Sequence, residues 1–437
     1  MAAVPLRANK IDRGSAVEWV MILVPAVLLL AGFPLFVLLL ATAAILLVWF
    51  MSVPLAAVPQ LMFSSVDKFS LLAVPFFLFV GEIMSVGGMS RRIVDWVLAL
   101  IGGVRGSRGL TTVGACTVFG AISGSSVATV AAVGRLMYPS LKERYGERFG
   151  AGVIASTGAI DILIPPSIVM ILYGASAEQS VAVLFIAGIL PGLLMAAFQG
   201  AYVYYYAVRH KVNDGGDPFR WRHFLAVTRS GIWALLAPIV ILGGIYGGIF
   251  APTEAAGIAC VYGIVVAKFI YREITWKQLW DVAVNSMVLT AQILVIVAAA
   301  GVFSWLLTVN GVAQKAVTLL QSMISSPIMA LALINVLLLI VGCFIDPGSA
   351  ILVLTPLLVP ICKAYGIDLI HFGIVMSMNL AIGMFTPPFG LNIFVTQALT
   401  RAPLSSIYPG LVPFIIVTIL ALVVVTYVPW LSLVLTR

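Results

Sequence analysis

Charged residues are missing from long stretches of this 437-residue chain, among them Val20–Met62, Gly109–Gly134, Ala316–Ile345, Leu369–Thr400 and Ala402–Thr436. Leu, Ile, Val and Ala run on within them without period-two alternation. The pattern predicts helices that cross a bilayer, which takes about 20 residues each, and not the strands of a membrane barrel. Gly231–Gly248 and Thr253–Lys268 predict two more spans joined by a turn at Phe250–Pro252. Two places break the rule. The apolar flanks of Ser123-Gly124-Ser125-Ser126 and of Asp346-Pro347-Gly348-Ser349, such as Gly109–Ile122 and Val127–Tyr138, are too short to cross. Each pair predicts a re-entrant helical hairpin, over 109–139 and 327–362, with its polar tip near mid-membrane. An apolar run interrupted by two prolines follows each hairpin, at Pro165-Pro166 and at Pro387-Pro388. Proline has no amide hydrogen and clashes with the carbonyl four residues earlier, so helices over 150–175 and 371–398 must break there. Met89–Leu100 is amphipathic and suits an interfacial helix.

These oddities recur. The proline pairs are 222 positions apart, Ser125 stands opposite Ser349, ILPGLL from Ile189 matches YPGLVPF from Tyr408, and Gly88 stands opposite Gly311. Four landmarks in one order at offsets of 218 to 224 indicate a duplicated fold. The expectation is an all-α polytopic membrane protein of two inverted repeats, each with a hairpin and a Pro-Pro-broken helix. Internal repeats of this kind usually belong to transporters, with the solute site where the halves meet.

Composition agrees. The chain is 62% hydrophobic and 9% charged with mean hydropathy +1.15, against about 25% charged in soluble domains. Its net charge of +8 does not point to nucleic acid, because Lys and Arg lie in short clusters between apolar runs: Arg7–Arg13, Lys142–Arg148, Arg209–Arg222 and Lys268–Lys277. By the positive-inside rule these mark cytoplasmic loops. The counterparts of two of them near Lys363 and Arg401 are almost uncharged, as inversion of the second copy requires. The N-terminus reads as a retained cytoplasmic end and not as a cleaved signal. Four cysteines and three histidines show no metal-ligand spacing, and there is no P-loop GxxxxGK[ST]. No enzyme chemistry is expected.

The candidate site follows from the breaks. Carbonyls of the turn before each proline pair, around Asp161–Ile164 and Gly383–Thr386, lose their helical partners. Such oxygens, with hydroxyls of Ser125, Ser349 or Thr386, suit a weakly held monovalent cation such as Na⁺. Beyond each break the resumed helix turns its amides and positive dipole end toward the cavity, which suits a carboxylate, with Asn392 a candidate donor. Structural readings stand beside these: Asp346 heads a helix as an N-cap would, Asp161 can cap or pair locally, and Glu254 compensates a helix dipole. Asp161 and Asp346 also raise the remote alternative of an intramembrane aspartic protease, against which neither sits in a GxGD sequence.

FGAISGSSVATVAAVG, GAIDILIPPSIVMILYG, YGGIFAPTEAAG, DPGSAILVLTPLLVPI and GMFTPPFGLNIFV, between Phe119 and Val395, resemble the large membrane subunit of tripartite ATP-independent periplasmic (TRAP) transporters. The resemblance implies a bacterial inner-membrane, multi-pass secondary carrier of an organic acid, driven by Na⁺, with a scaffold and a mobile elevator domain. Its partners would be a small four-helix membrane subunit and a periplasmic substrate-binding protein. The division expected is scaffold and arm over 1–108, first transport repeat over 109–200, scaffold and second arm over 201–326, and second transport repeat with a last span over 327–437. Carried onto this chain, cation residues would be Ser123, Gly124, Ser125, Ser126, Asp161 and Pro165, with Asp346, Gly348, Ser349, Gly383, Thr386 and Pro387. Solute residues would be Ser126, Pro166, Ser167, Pro388 and Asn392. The alternative within transport is a self-contained sodium–carboxylate symporter or antiporter of the same superfamily.

Overall fold

The computed structural model describes residues 10–436 apart from 52, 55 and 213–217, with backbone only at 10–15 and 18. The basic cluster Arg7–Arg13 therefore lies outside the described side chains. Among the described residues there is no strand, and seven helices are long and apolar enough to cross a membrane. The chain is an all-helical membrane protein.

Helices α1 (Lys10–Leu30), α2 (Leu35–Trp49) and α3 (Ala57–Val66) lead through a short 3-10 turn, Phe69–Leu72, into α4 (Ala73–Val86). Gly88, at φ +76°, then turns the chain into α5 (Met89–Ile101), whose strongly one-sided face packs inward through Met89, Ile93 and Val97. Next come α6 (Ser107–Ser123) and α7 (Ser126–Tyr145), a helical hairpin closed by two residues. Both helices overrun the limits read from the apolar pattern, because α6 starts two residues early and α7 continues through the polar Lys142–Tyr145 turn. Helix α8 (Glu147–Thr157) ends in a 3-10 turn, Gly158–Ile162, and α9 (Ile168–Ala177) resumes beyond the prolines; α10 (Val181–Arg209) follows.

The same order returns later. After α11 (Trp221–Tyr246) and α12 (Pro252–Ile264), the chain runs through α13 (Trp276–Val309) to Gly311, again left-handed at φ +64°, and α14 (Val312–Met323). Helices α15 (Pro327–Gly342) and α16 (Pro347–Ala364) form a second, splayed hairpin whose arms barely touch, α15 packing on α17 instead. An interrupted pair, α17 (Leu369–Gly383) and α18 (Leu391–Thr400), precedes α19 (Leu404–Tyr427) and the short α20 (Trp430–Leu433).

The helices pack in two groups that also bear closely on each other, through α5 on α6, α4 on α6 and α13 on α16. Helix α13 lies against α2, α3 and α4, while α4 also packs on α12, and α11 on α5 and α12. The hairpins and broken helices bind one another: α8 crosses α19, α7 packs on α8 and α18, and α9 on α16 and α17. Lipid tails are as apolar as leucine, so helix contact inside a membrane depends on close approach. Glycines supply it here. The backbones of Gly152 and Gly410 touch where α8 meets α19, and Gly342 touches Gly383 where α15 meets α17.

Candidate functional site

Hairpin tip and break meet directly in the first half. Gly124 closes the tip at φ +63°, and a Cβ there would lie 2.8 Å from the Pro166 carbonyl oxygen. Ile168 N–H donates to Gly124 O at 3.5 Å. Ser125 caps α7 by accepting from Ala128 N–H at 3.5 Å, while Ser167 caps α9 by accepting from Met170 N–H at 3.4 Å. Gly120 lets α6 ride onto the Asp161 backbone, since a Cβ there would be 3.0 Å from Asp161 Cα. Asp161 is fully buried. Its Oδ2 takes a hydrogen bond from Thr129 Oγ1; Oδ1 has no partner at normal hydrogen-bond geometry, although the Ser123 hydroxyl and the Gly124 and Ser125 amides surround the carboxylate.

The first break keeps its carbonyls open. Leu163 and Ile164 N–H both turn back to Ile160 O, at 3.0 and 3.2 Å, and the two prolines have no N–H. Among the described residues no backbone N–H donates to the carbonyls of Asp161 through Ile164. An unpaired carbonyl inside a membrane protein is costly, and the Leu163 carbonyl is turned toward Gly188 of α10.

The second half differs. Gly383 O accepts from Thr386 N–H at 3.1 Å, Met384 O from Asn392 N–H at 2.9 Å, and Thr386 O from Gly390 N–H at 3.3 Å. The Thr386 hydroxyl donates to Ile382 O at 2.7 Å. The free carbonyls read from the sequence are thus largely engaged here, because the Phe389-Gly390 turn lets later amides fold back. Asp346 acts as the N-cap of α16, accepting from Ser349 N–H at 2.9 Å, and the buried Ser349 Oγ has no partner. Pro165, Pro166 and Ser167 are buried, whereas Thr386 and Pro387 are half-buried and Pro388 is exposed. Phe389 borders a cavity of about 370 Å³ shared with Leu29, Leu35 and Phe344.

Both halves open onto one central cavity of about 340 Å³. Gly124, Ser125 and Ser126 of the first tip and Asp346, Gly348 and Ser349 of the second line it. Ile162, Ile168, Met384 and Leu391 flank the two breaks, and Gln292 and Ile296 of α13 close the far wall. Ser123, Asp161, Ser167, Gly383 and Asn392 are buried outside this lining. Asn392 holds the halves together: its Nδ2 donates to Ser126 Oγ at 2.9 Å and to Ala155 O at 2.9 Å. Thr129, the partner of Asp161, went unread in the sequence. Its spacing of three residues from Ser126 places both on one face of α7, a signal that could have found it.

The chain matches the family model described as tripartite ATP-independent periplasmic transporter, DctM component, over residues 22–431. It is 42% identical over 373 residues, 85% of this chain and 87% of the relative, to the C4-dicarboxylate TRAP transporter large permease protein DctM of Pseudomonas aeruginosa. The DctM protein of Vibrio cholerae, with the same description, is 38% identical over 431 residues, covering 93% and 94%. The Alcanivorax borkumensis YdaH transporter, solved by crystallography, shares the fold at TM-score 0.62 and 15% identity, over 96% of this chain and 98% of that one. The relatives are named as permeases and not as enzymes. The chain belongs to the DctM component family of tripartite ATP-independent periplasmic transporters.

Proposed function

We propose that this multi-pass inner-membrane permease takes up an organic acid together with Na⁺, with a small membrane subunit and a periplasmic binding protein as partners. The observation that carries the reading is the meeting of both hairpin tips and both broken helices at one cavity, with the Asp161 Oδ1 and Ser349 Oγ oxygens buried and unpartnered around it. A hard monovalent cation takes such oxygens. The stronger site is in the first half, where Asp161 lies against the tip Ser123–Ser126 and the carbonyls of 161–164 lack amide donors. The second, around Asp346–Ser349 and Gly383–Pro387, offers fewer open carbonyls and binds more weakly.

The solute carboxylate belongs beside the amide ends of α7 and α9, near Ser126, Pro166 and Ser167, where the helix dipole favours negative charge. Pro388 and Asn392 contribute from the second half, Asn392 by fixing the Ser126 hydroxyl in place. Relatives bearing the names C4-dicarboxylate and 2,3-diketo-L-gulonate permease support an organic acid as the class. The two packing groups correspond to a scaffold and a mobile body that carries both tips across the membrane. The test is uptake of radiolabelled succinate and of a keto-sugar acid into proteoliposomes holding the permease and its two partners. Uptake should require an inward Na⁺ gradient; equal uptake with K⁺ in its place would reject the coupling.

A further inference from the structure

A second cavity of about 230 Å³ borders the central one, with Leu352 of α16 in the lining of both. Its walls come from both packing groups: Ser65 and Lys68 beside α3, Ser304 and Trp305 of α13, and Ala175 and Ser176 at the end of α9. Lys68 is the one charged side chain in this lining, and among the described residues no carboxylate lies within ion-pairing distance of it. Its ammonium donates one hydrogen bond, 2.6 Å long, to Ala175 O. An ammonium has three N–H groups, so two remain for a ligand.

The membrane face can be assigned. Lys68 precedes α4, whose other end adjoins Arg91 and Arg92, and Ala175 lies at the end of the broken helix opposite Lys142–Arg148. Basic clusters stay in the cytoplasm, which puts this cavity on the outer side. We infer that it is an anion-gathering vestibule, in which the Lys68 ammonium holds a solute carboxylate between the periplasm and the hairpin tips. A cationic group in a narrow, low-dielectric entrance raises the local concentration of anions. Leu352 marks the passage onward. The inference rests on the carrier reading, although its test does not measure transport.

The test places a thiol in the vestibule as Ser304→Cys, in a chain with Cys343→Ala to remove the one half-exposed native cysteine, expressed in cells with its partners. Rates of modification by the anionic reagent MTSES and the cationic reagent MTSET give a ratio independent of thiol accessibility. Lys68→Gln should lower the anionic-to-cationic ratio by about tenfold, and Lys68→Arg should keep it. Raising salt from about 20 mM to about 1 M, where the screening length falls to about 3 Å, should erase the preference in the Lys68 chain. A ratio unchanged by Lys68→Gln, or a salt-insensitive ratio if that variant fails to reach the membrane, overturns the assignment and leaves Lys68 a helix cap. Loss of Na⁺ coupling in uptake assays would not alter either result, so the two failures are distinguishable.

Discussion

Asp161, in the turn at the first break, and Asp346, in the second hairpin tip, are used differently. Asp346 spends Oδ2 on the Ser349 amide, the ordinary work of an N-cap, whereas Asp161 keeps Oδ1 open next to unpaired carbonyls. Asp161→Asn should therefore raise the Na⁺ concentration for half-maximal uptake by at least about tenfold, since one charge-assisted contact is worth about 1.5–3 kcal/mol. Asp346→Asn, a replacement that still caps helices, should shift it less than about threefold. Sodium titrations of proteoliposome uptake decide, and equal shifts would remove the asymmetry. Outside the spans, Lys142 lies 2.8 Å from Glu147, and its hydrogen bond holds the Glu147 carboxyl below the usual range while raising its own ammonium. A lowered carboxyl stabilises the fold above its unfolded value, about 4.3, and loses that contribution as pH falls through the folded one. The lysine's share lasts until pH rises past about 10.4. The Tm gap between parent and Glu147→Gln should stay constant from about pH 5.5 to 9 and close below about pH 4.

At the level of elements, the first tip and the second break are tied by a reciprocal amide–hydroxyl pair, Ser126 with Asn392. Both groups are buried, and removing one leaves the other unsatisfied. Asn392→Ala should cost about 1–3 kcal/mol, and a double-mutant cycle with Ser126→Ala should show coupling of about 0.5–3 kcal/mol in thermal or denaturant unfolding. Additive effects would mean the contact does not hold the halves. The proline pairs and the polar tips were legible in the sequence because each violates a rule that apolar helices otherwise obey, whereas Gly88 and Gly311 were legible only as a matched pair and not as left-handed turns. The Ser126–Asn392 link, the Thr129–Asp161 contact and the Lys68–Ala175 hydrogen bond were not. They join residues 32 to 266 positions apart, and no local pattern states which distant side chain a tip will meet. The carbonyls after Gly383 misled for a related reason: the rule that proline frees them is local, but the Phe389-Gly390 turn returns amides to them.

For the whole molecule the question is whether the hairpins move past α4 and α13 or stay fixed beside them. Gly81 of α4 packs onto the first tip so closely that a Cβ there would lie 3.2 Å from Ser123 Cα and 3.3 Å from Ser123 Oγ. Thiols at these two positions would meet within disulfide reach, which takes Cβ atoms about 3.8 Å apart. The missing side chain at 81 is what a sliding surface needs, since any Cβ would press on the Ser123 carbonyl at 2.8 Å. If the body carrying both tips travels, a Gly81→Cys/Ser123→Cys disulfide, formed once the tip yields slightly to the new Cβ, ties it to α4 and stops transport. Oxidation should then abolish whatever Na⁺-driven uptake the reduced double variant has, and reduction should restore it. Uptake that continues with the crosslink complete by mass spectrometry would show that the tips do not move relative to α4, and alternating access would have to come from smaller gates at the hairpin tips.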